Sequence, residues 1–246
     1  MKVSIVTAIL NSQEIVRRQM LHYKKMDLPD DVEIIFIDDG SIPPLNFVMA
    51  DELFGDPGLK NFRHYATNNF VEWTQPAARN FGCKKAIGEY LLCTDIDHIF
   101  TRKLIEFVRN TDCDVVRFRR QAGVLDEYGN FTQDMDVLKA YGLMDRKSLQ
   151  FTAHGNSFAI KRELYFRLGG VSEKYVGTGK HPNREEVHLK KKLNRLAARG
   201  EIKIMGSRRR PIIYMFPNGR FCGDLNYNPF GLFHNLKRMT RWESQS

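Results

Sequence analysis

Two apolar runs in this chain end in carboxylates, and that feature constrains the fold more than any other. Residues 33–37, EIIFI, run into Asp38-Asp39-Gly40-Ser41, and residues 90–95, YLLCTD, lead into Ile96-Asp97-His98. A further apolar run, VSIVTAIL at 3–10, opens the chain. Between it and EIIFI lie Ile15, Val16, Met20, Tyr23 and Met26 at helical spacing. Strand, helix, strand in that order predicts a parallel pair joined by a crossover. In such sheets the ligand sits beyond the carboxyl ends of the strands. Four carboxylates from two strand ends are therefore expected along one edge.

The rest of the chain continues the alternation. Residues 61–66 predict a strand, and Pro76 opens a helix that runs to Gly88. A helix over 102–109, a strand over 114–119 and a strand over 157–160 follow. Residues 161–168 predict a helix stopped by Gly169-Gly170. A further helix over 184–199 would be capped by Asn183 and ended by Gly200. Residues 201–216 suit one or two short strands. The expected class is α/β, with a mainly parallel central sheet flanked by helices. No Gly-x-Gly-x-x-Gly follows the first run and no P-loop occurs, so neither of those nucleotide-binding signatures is available.

At 246 residues the chain suits one large α/β domain or two small ones. It has no 18-residue apolar stretch, so no transmembrane helix is expected. MKVSIVTAIL is too short an apolar run for a signal peptide, and none of the four cysteines forms a Cys-x-x-Cys pair. A cytoplasmic protein with reduced thiols is the expectation. The net charge of +9 is local. Residues 1–183 carry 24 basic and 24 acidic side chains, whereas 184–210 carry ten basic against Glu185, Glu186 and Glu201. Lys190, Lys191, Lys192, Arg208, Arg209 and Arg210 belong to this segment. Such a surface attracts polyanions or an anionic membrane, or it is simply a solvated helix face.

In an extended segment Asp95 and Asp97 share one side. Two carboxylates there make a hard oxygen site for Mg²⁺ or Mn²⁺, or they are exposed acids opening a turn. The same alternation turns His98 away from Asp97. Asp38-Asp39-Gly40-Ser41 reads either as a turn or as carboxylates that accept hydrogen bonds from a base or a ribose.

Taken together, VSIVTAILN, EIIFIDDGS, Ala78-Arg79-Asn80, Gly82, Ala86, Gly88-Glu89-Tyr90 and Asp95-x-Asp97 resemble glycosyltransferase family 2. These are inverting enzymes with the GT-A nucleotide-sugar fold. The likeness covers residues 3–100 closely and 154–196 more loosely. It implies a catalytic domain over 1–216, with a nucleotide-sugar half at 1–100 and an acceptor half at 101–216. An aromatic and basic tail at 217–246 would pack on it. It also implies that Thr7, Asn11, Asp38, Asp39, Arg79 and Asp95 bind a nucleotide sugar, UDP-linked. Asp97 and Asp95 would hold Mn²⁺ or Mg²⁺. Glu186 occupies the slot of the general base, as a Glu where the family has Asp. Of the later histidines His154, His181, His188 and His234, His234 is the expected third metal ligand. The acceptor would be a glycan or polysaccharide precursor. Alternatively it would be DNA bearing a hydroxymethylated base, gripped by the 184–210 region. A nucleotidyltransferase and a non-catalytic nucleotide-sugar binding module are the readings from other classes.

Overall fold

The computed structural model describes residues 1–45, 59–67, 71, 74–143, 150–151, 157–178, 185–205 and 210–217. His154, His181, His234, Arg208, Arg209 and the tail from 218 onward lie outside the described residues, as does Asn183. The side chains of Glu185 and Glu186 are likewise not described.

The two apolar runs nearest the N-terminus form β1 (Val3–Ile9) and β2 (Val32–Asp38), buried along their whole length. Burial on both faces is why they read as continuous apolar runs. Helix α1 (Gln13–Lys25) crosses between them. β3 (Phe62–Ala66), α2 (Gln75–Lys85) and β4 (Tyr90–Asp95) follow. β1 pairs in parallel with both β2 and β4, and β2 with β3. The central sheet has the order β3-β2-β1-β4-β11-β6, where β6 is Val115–Arg117 and β11 is Phe158–Lys161. β11 is antiparallel to both of its neighbours, so β6 runs in the same direction as β4.

Helices cover both faces. Ile15, Val16, Met20 and Tyr23 of α1 pack with Val3, Ile5 and Ile9 of β1. Ala78 and Cys83 of α2 pack with Val6, Ala8, Ile35 and Ile37 on the opposite face. Gly82 permits that approach, because a Cβ there would lie 2.6 Å from Val6 Cγ1. Burying about 25 cal/mol per Å² of apolar surface, this three-layer core is the main stabilising contribution. Beyond the sheet come α3 (Arg102–Arg109), α4 (Met135–Ala140), α5 (Arg162–Arg167) and α6 (Glu185–Ala198). Leu189 and Leu193 of α6 are buried, while its lysines face solvent.

Two expectations change. Residues 114–119 are not one strand, since β6 ends at Arg117 and β7 (Arg119–Ala122) joins a second sheet. That sheet has the order β10-β7-β12-β5, with β5 at His98–Ile99, β10 at Gln150–Phe151 and β12 at Ile212–Met215. Buried Phe118 marks the switch between sheets. The helix expected to reach Gly88 stops at Lys85. Ala86 is already extended, and the Gly88 N–H donates to Ser4 Oγ at 2.8 Å. A short antiparallel pair, β8 (Val124–Leu125) and β9 (Phe131–Thr132), completes the described strands.

Candidate functional site

The parallel register sets the site. Asp95 stands opposite Ala8, and Asp38 opposite Ile9. Both acidic strand ends therefore border the carboxyl end of β1, as expected. Asp95 closes β4, and its Oδ1 accepts from Gln75 Nε2 at 3.0 Å and from Arg79 Nη2 at 2.7 Å. Arg79 has no solvent exposure at all. It lies on α2 and orients Asp95. Next to it, Asn80 binds the Gly169-Gly170 turn, because its Nδ2 donates to Val171 O at 2.9 Å and Tyr165 donates to its Oδ1 at 2.6 Å. Both glycines of that turn have φ near the left-handed region, 81° and 69°.

The expectation that alternation turns His98 away is corrected. The strand ends at Asp95 and Ile96-Asp97 form a turn, so the two-residue period stops there. Asp95, Asp97 and His98 consequently converge, each offering a ligand atom within 4.8 Å of the others. Asp97 Oδ1 and His98 Nδ1 lie 3.0 Å apart. Both are buried, and neither makes an aligned hydrogen bond. Two electron-pair donors at that distance repel unless a proton or a cation lies between them. The other ring nitrogen, Nε2, is 3.1 Å from Ser157 Oγ. Donation to Ser157 leaves the Nδ1 lone pair for a metal, the usual arrangement around a ligating histidine. With a proton on His98 Nδ1 standing where the cation would, burial raises the Asp97 pKa, but His98 and then Arg120 more than offset it, so it falls below the ordinary value. Two carboxylates and one imidazole fit a divalent cation of the Mn²⁺ kind.

The other predicted residues frame this centre. Asp38 Oδ1 accepts from Ser41 N and Oδ2 from Leu45 N, each at 2.9 Å. Asn11 accepts from Ile42 N at 2.7 Å, and its own N–H donates to Ser41 Oγ at 3.0 Å. Asn11 and Asp38 together shape the loop after β2, and Asn tolerates the φ of 47° found at position 11. Thr7 is buried, one residue short of Ala8 and in register with Thr94. Arg210 is half-buried beside Arg119, whose Nε donates to Arg210 O at 3.2 Å. Arg117 donates to Asn194 of α6 at 2.8 Å. Among the described residues no carboxylate lies within ion-pair distance of Arg117, Arg119 or Arg210. Lys190 and Lys191 are exposed, and Lys192 donates to Leu168 O at 2.7 Å. Gln75, Ser157 and His98 were not anticipated here. Only His98, next to the acids, carried a local signal.

Asp39 accepts from Thr74 Oγ1 at 2.6 Å and from Thr67 Oγ1 at 3.0 Å. Burial, with the Asp38 charge adding to it, pushes its pKa from 3.8 up to about 7. Between those values the folded protein holds a proton that the unfolded chain has released. This group's contribution to stability is thus complete below the lower value, falls as pH rises and is gone above about 7. The denaturant midpoint of the wild type should drop between about pH 4 and about pH 7. Asp39→Asn should flatten that drop, and an equally steep drop in the variant would contradict the assignment.

The sequence profile of glycosyl transferase family 2 matches residues 4–169, and the chain belongs to that family. Residues 1–349 of S. aureus TarS superpose with a TM-score of 0.56 at 17% identity, over 88% of this chain and 60% of that one. The mannosyltransferase PcManGT from Pyrobaculum calidifontis, solved with GDP-Man and Mn²⁺, gives 0.55 at 18%, over 87% of this chain and 56% of its own. The TarS fragment bound to UDP-GlcNAc gives 0.55 at 14%, over 88% and 58%. The fold is therefore GT-A, and the chain spans just over half the length of these structures. No curated protein matches it. Among the described residues no helix is long and apolar enough to cross a membrane.

Proposed function

We propose that this chain transfers a sugar from a UDP-linked nucleotide sugar to an acceptor hydroxyl, with inversion and with Mn²⁺ or Mg²⁺ bound by Asp95, Asp97 and His98. The observation that carries this reading is the buried Asp97 Oδ1–His98 Nδ1 approach, at the sheet edge where the first, second and fourth strands end. A bound cation would supply charge neutralisation for the leaving diphosphate. Arg79 and Gln75 fix the Asp95 carboxylate, and Asn11 with Asp38 shapes the loop beside the nucleotide. Thr7 and Asp39 are assigned to the wall of the nucleotide pocket. Glu186, in the first turn of α6, takes the proton from the acceptor hydroxyl. The acceptor oxygen forms its bond to the anomeric carbon as the bond to the diphosphate oxygen breaks. GDP-Man in PcManGT and UDP-GlcNAc in TarS support a nucleotide-sugar donor, and TarS favours UDP.

The acceptor is read as a glycan or polysaccharide precursor, with peripheral contact to an anionic membrane as an accompanying assignment. The cationic cluster of Arg117, Arg119 and Arg210, with no carboxylate in ion-pair distance among the described residues, supports an acceptor that carries negative charge. DNA with a hydroxymethylated base is the second reading it favours. Two measurements test the proposal. UDP- and GDP-sugars are screened for turnover with Mn²⁺ and with EDTA, and turnover that persists in EDTA would remove the metal. Duplex DNA is titrated across a salt series, and no binding at low salt eliminates the second reading.

A further inference from the structure

We propose that Gln19 of α1 is a positioning residue that fixes the Asp97 turn for cation binding. The inference rests on the metal reading of Asp95, Asp97 and His98, and goes beyond it to a residue that touches neither metal nor substrate. Gln19 lies on the buried face of α1, among Ile15, Val16, Met20 and Tyr23, and is 1% exposed. Its Nε2 donates to Ile96 O at 3.2 Å and to His98 O at 2.7 Å. These carbonyls stand on either side of Asp97, so one amide group straddles the residue that must point at the ion. An amide nitrogen has two hydrogens, and both are used here. Because both neighbours are acceptors, the side chain cannot be flipped without losing both bonds.

The arrangement has a cost. Gln19 Oε1 is buried with no hydrogen-bond partner among the described residues. An unsatisfied buried acceptor weakens the fold. The rest of this helix face is filled largely by apolar side chains that carry no such cost. One turn on, His22 extends the grip, with Nε2 2.7 Å from Phe100 O and Nδ1 3.1 Å from Gly129 O. The carbonyls of Ile96, His98 and Phe100, at alternate positions, are thus all met from α1. From the other side, Phe216 N donates to Asp97 O at 2.9 Å, and β12 pairs with β5. The turn is clamped between a helix and a strand. Its side chains can therefore be held in place although Asp97 Oδ1 and His98 Nδ1 oppose one another.

The test is Mn²⁺ affinity, read from the electron paramagnetic resonance of the free ion, on the full chain. Gln19→Met keeps the length and helix preference and removes both N–H donors. Ile15→Val trims the same helix elsewhere and controls for ordinary loss of stability. The dissociation constant should rise about tenfold in Gln19→Met, as for other supporting partners of metal ligands, and stay at the wild-type value in Ile15→Val. Equal affinity in wild type and Gln19→Met overturns the proposal and leaves the metal reading standing. A wild type that binds no Mn²⁺ overturns both. Should Gln19→Met not fold, the wild type decides by nuclear magnetic resonance. The Gln19 side-chain amide should shift on Mg²⁺ addition with the same midpoint as the backbone amides of Asp97 and His98, and a stationary signal overturns the proposal.

Discussion

Asp97→Asn should lower nucleotide-sugar turnover by about 10²–10³-fold, the scale seen when one preorganised electrostatic group is lost from a site. Asn keeps the shape of the side chain and discards its charge. Asp97 is 3% exposed and faces His98, so the substitution acts inside the triad and not on the surface. With the ion chelated, the thermal midpoint should fall, because the lowered Asp97 pKa marks a carboxylate that His98 and then Arg120 stabilise in the fold. Adding Mn²⁺ should raise the wild-type midpoint by mass action and leave that of the variant unmoved. Turnover and metal response are measured together. A variant that keeps both would take Asp97 out of the site.

Glu186→Gln should reduce transfer to the acceptor by about 10²–10⁴-fold, the range that general base catalysis contributes, while UDP binding stays at the wild-type level. The substitution is conservative for the fold. Acids in a first helical turn favour the dipole by only ~0.3–1 kcal/mol. Leu189 and Leu193 still seat α6 on the core. Transfer rate and UDP affinity are the paired readouts. Unchanged transfer would assign the proton to another group. A wild type that binds UDP and transfers nothing would be a binding module.

Much of this architecture was legible because buried parallel strands announce themselves. Residues 3–9, 32–38 and 90–95 are mostly apolar, so the parallel first pair and the acidic edge followed directly. Ala78-Arg79-Asn80 was legible as a motif, but its mechanics were not. The structure shows Arg79 holding Asp95 and Asn80 holding the Gly169-Gly170 turn. His98 was misplaced because periodicity was carried one step past the end of the strand, where a turn replaces it. Gln19 and Ser157 were invisible for a different reason. Gln19 meets Ile96 across 77 residues and Ser157 meets His98 across 59. No local pattern encodes pairings of that range, and they appear only once helix and sheet have packed.

The central claim is that Asp95, Asp97 and His98 form the cation site through which a nucleotide sugar is held. Calorimetric titration of UDP into the wild-type chain, once with Mn²⁺ and once with EDTA, tests it most directly. The account predicts binding at least tenfold tighter with Mn²⁺, and loss of that difference in His98→Ala. Equal UDP affinity under both conditions would contradict it.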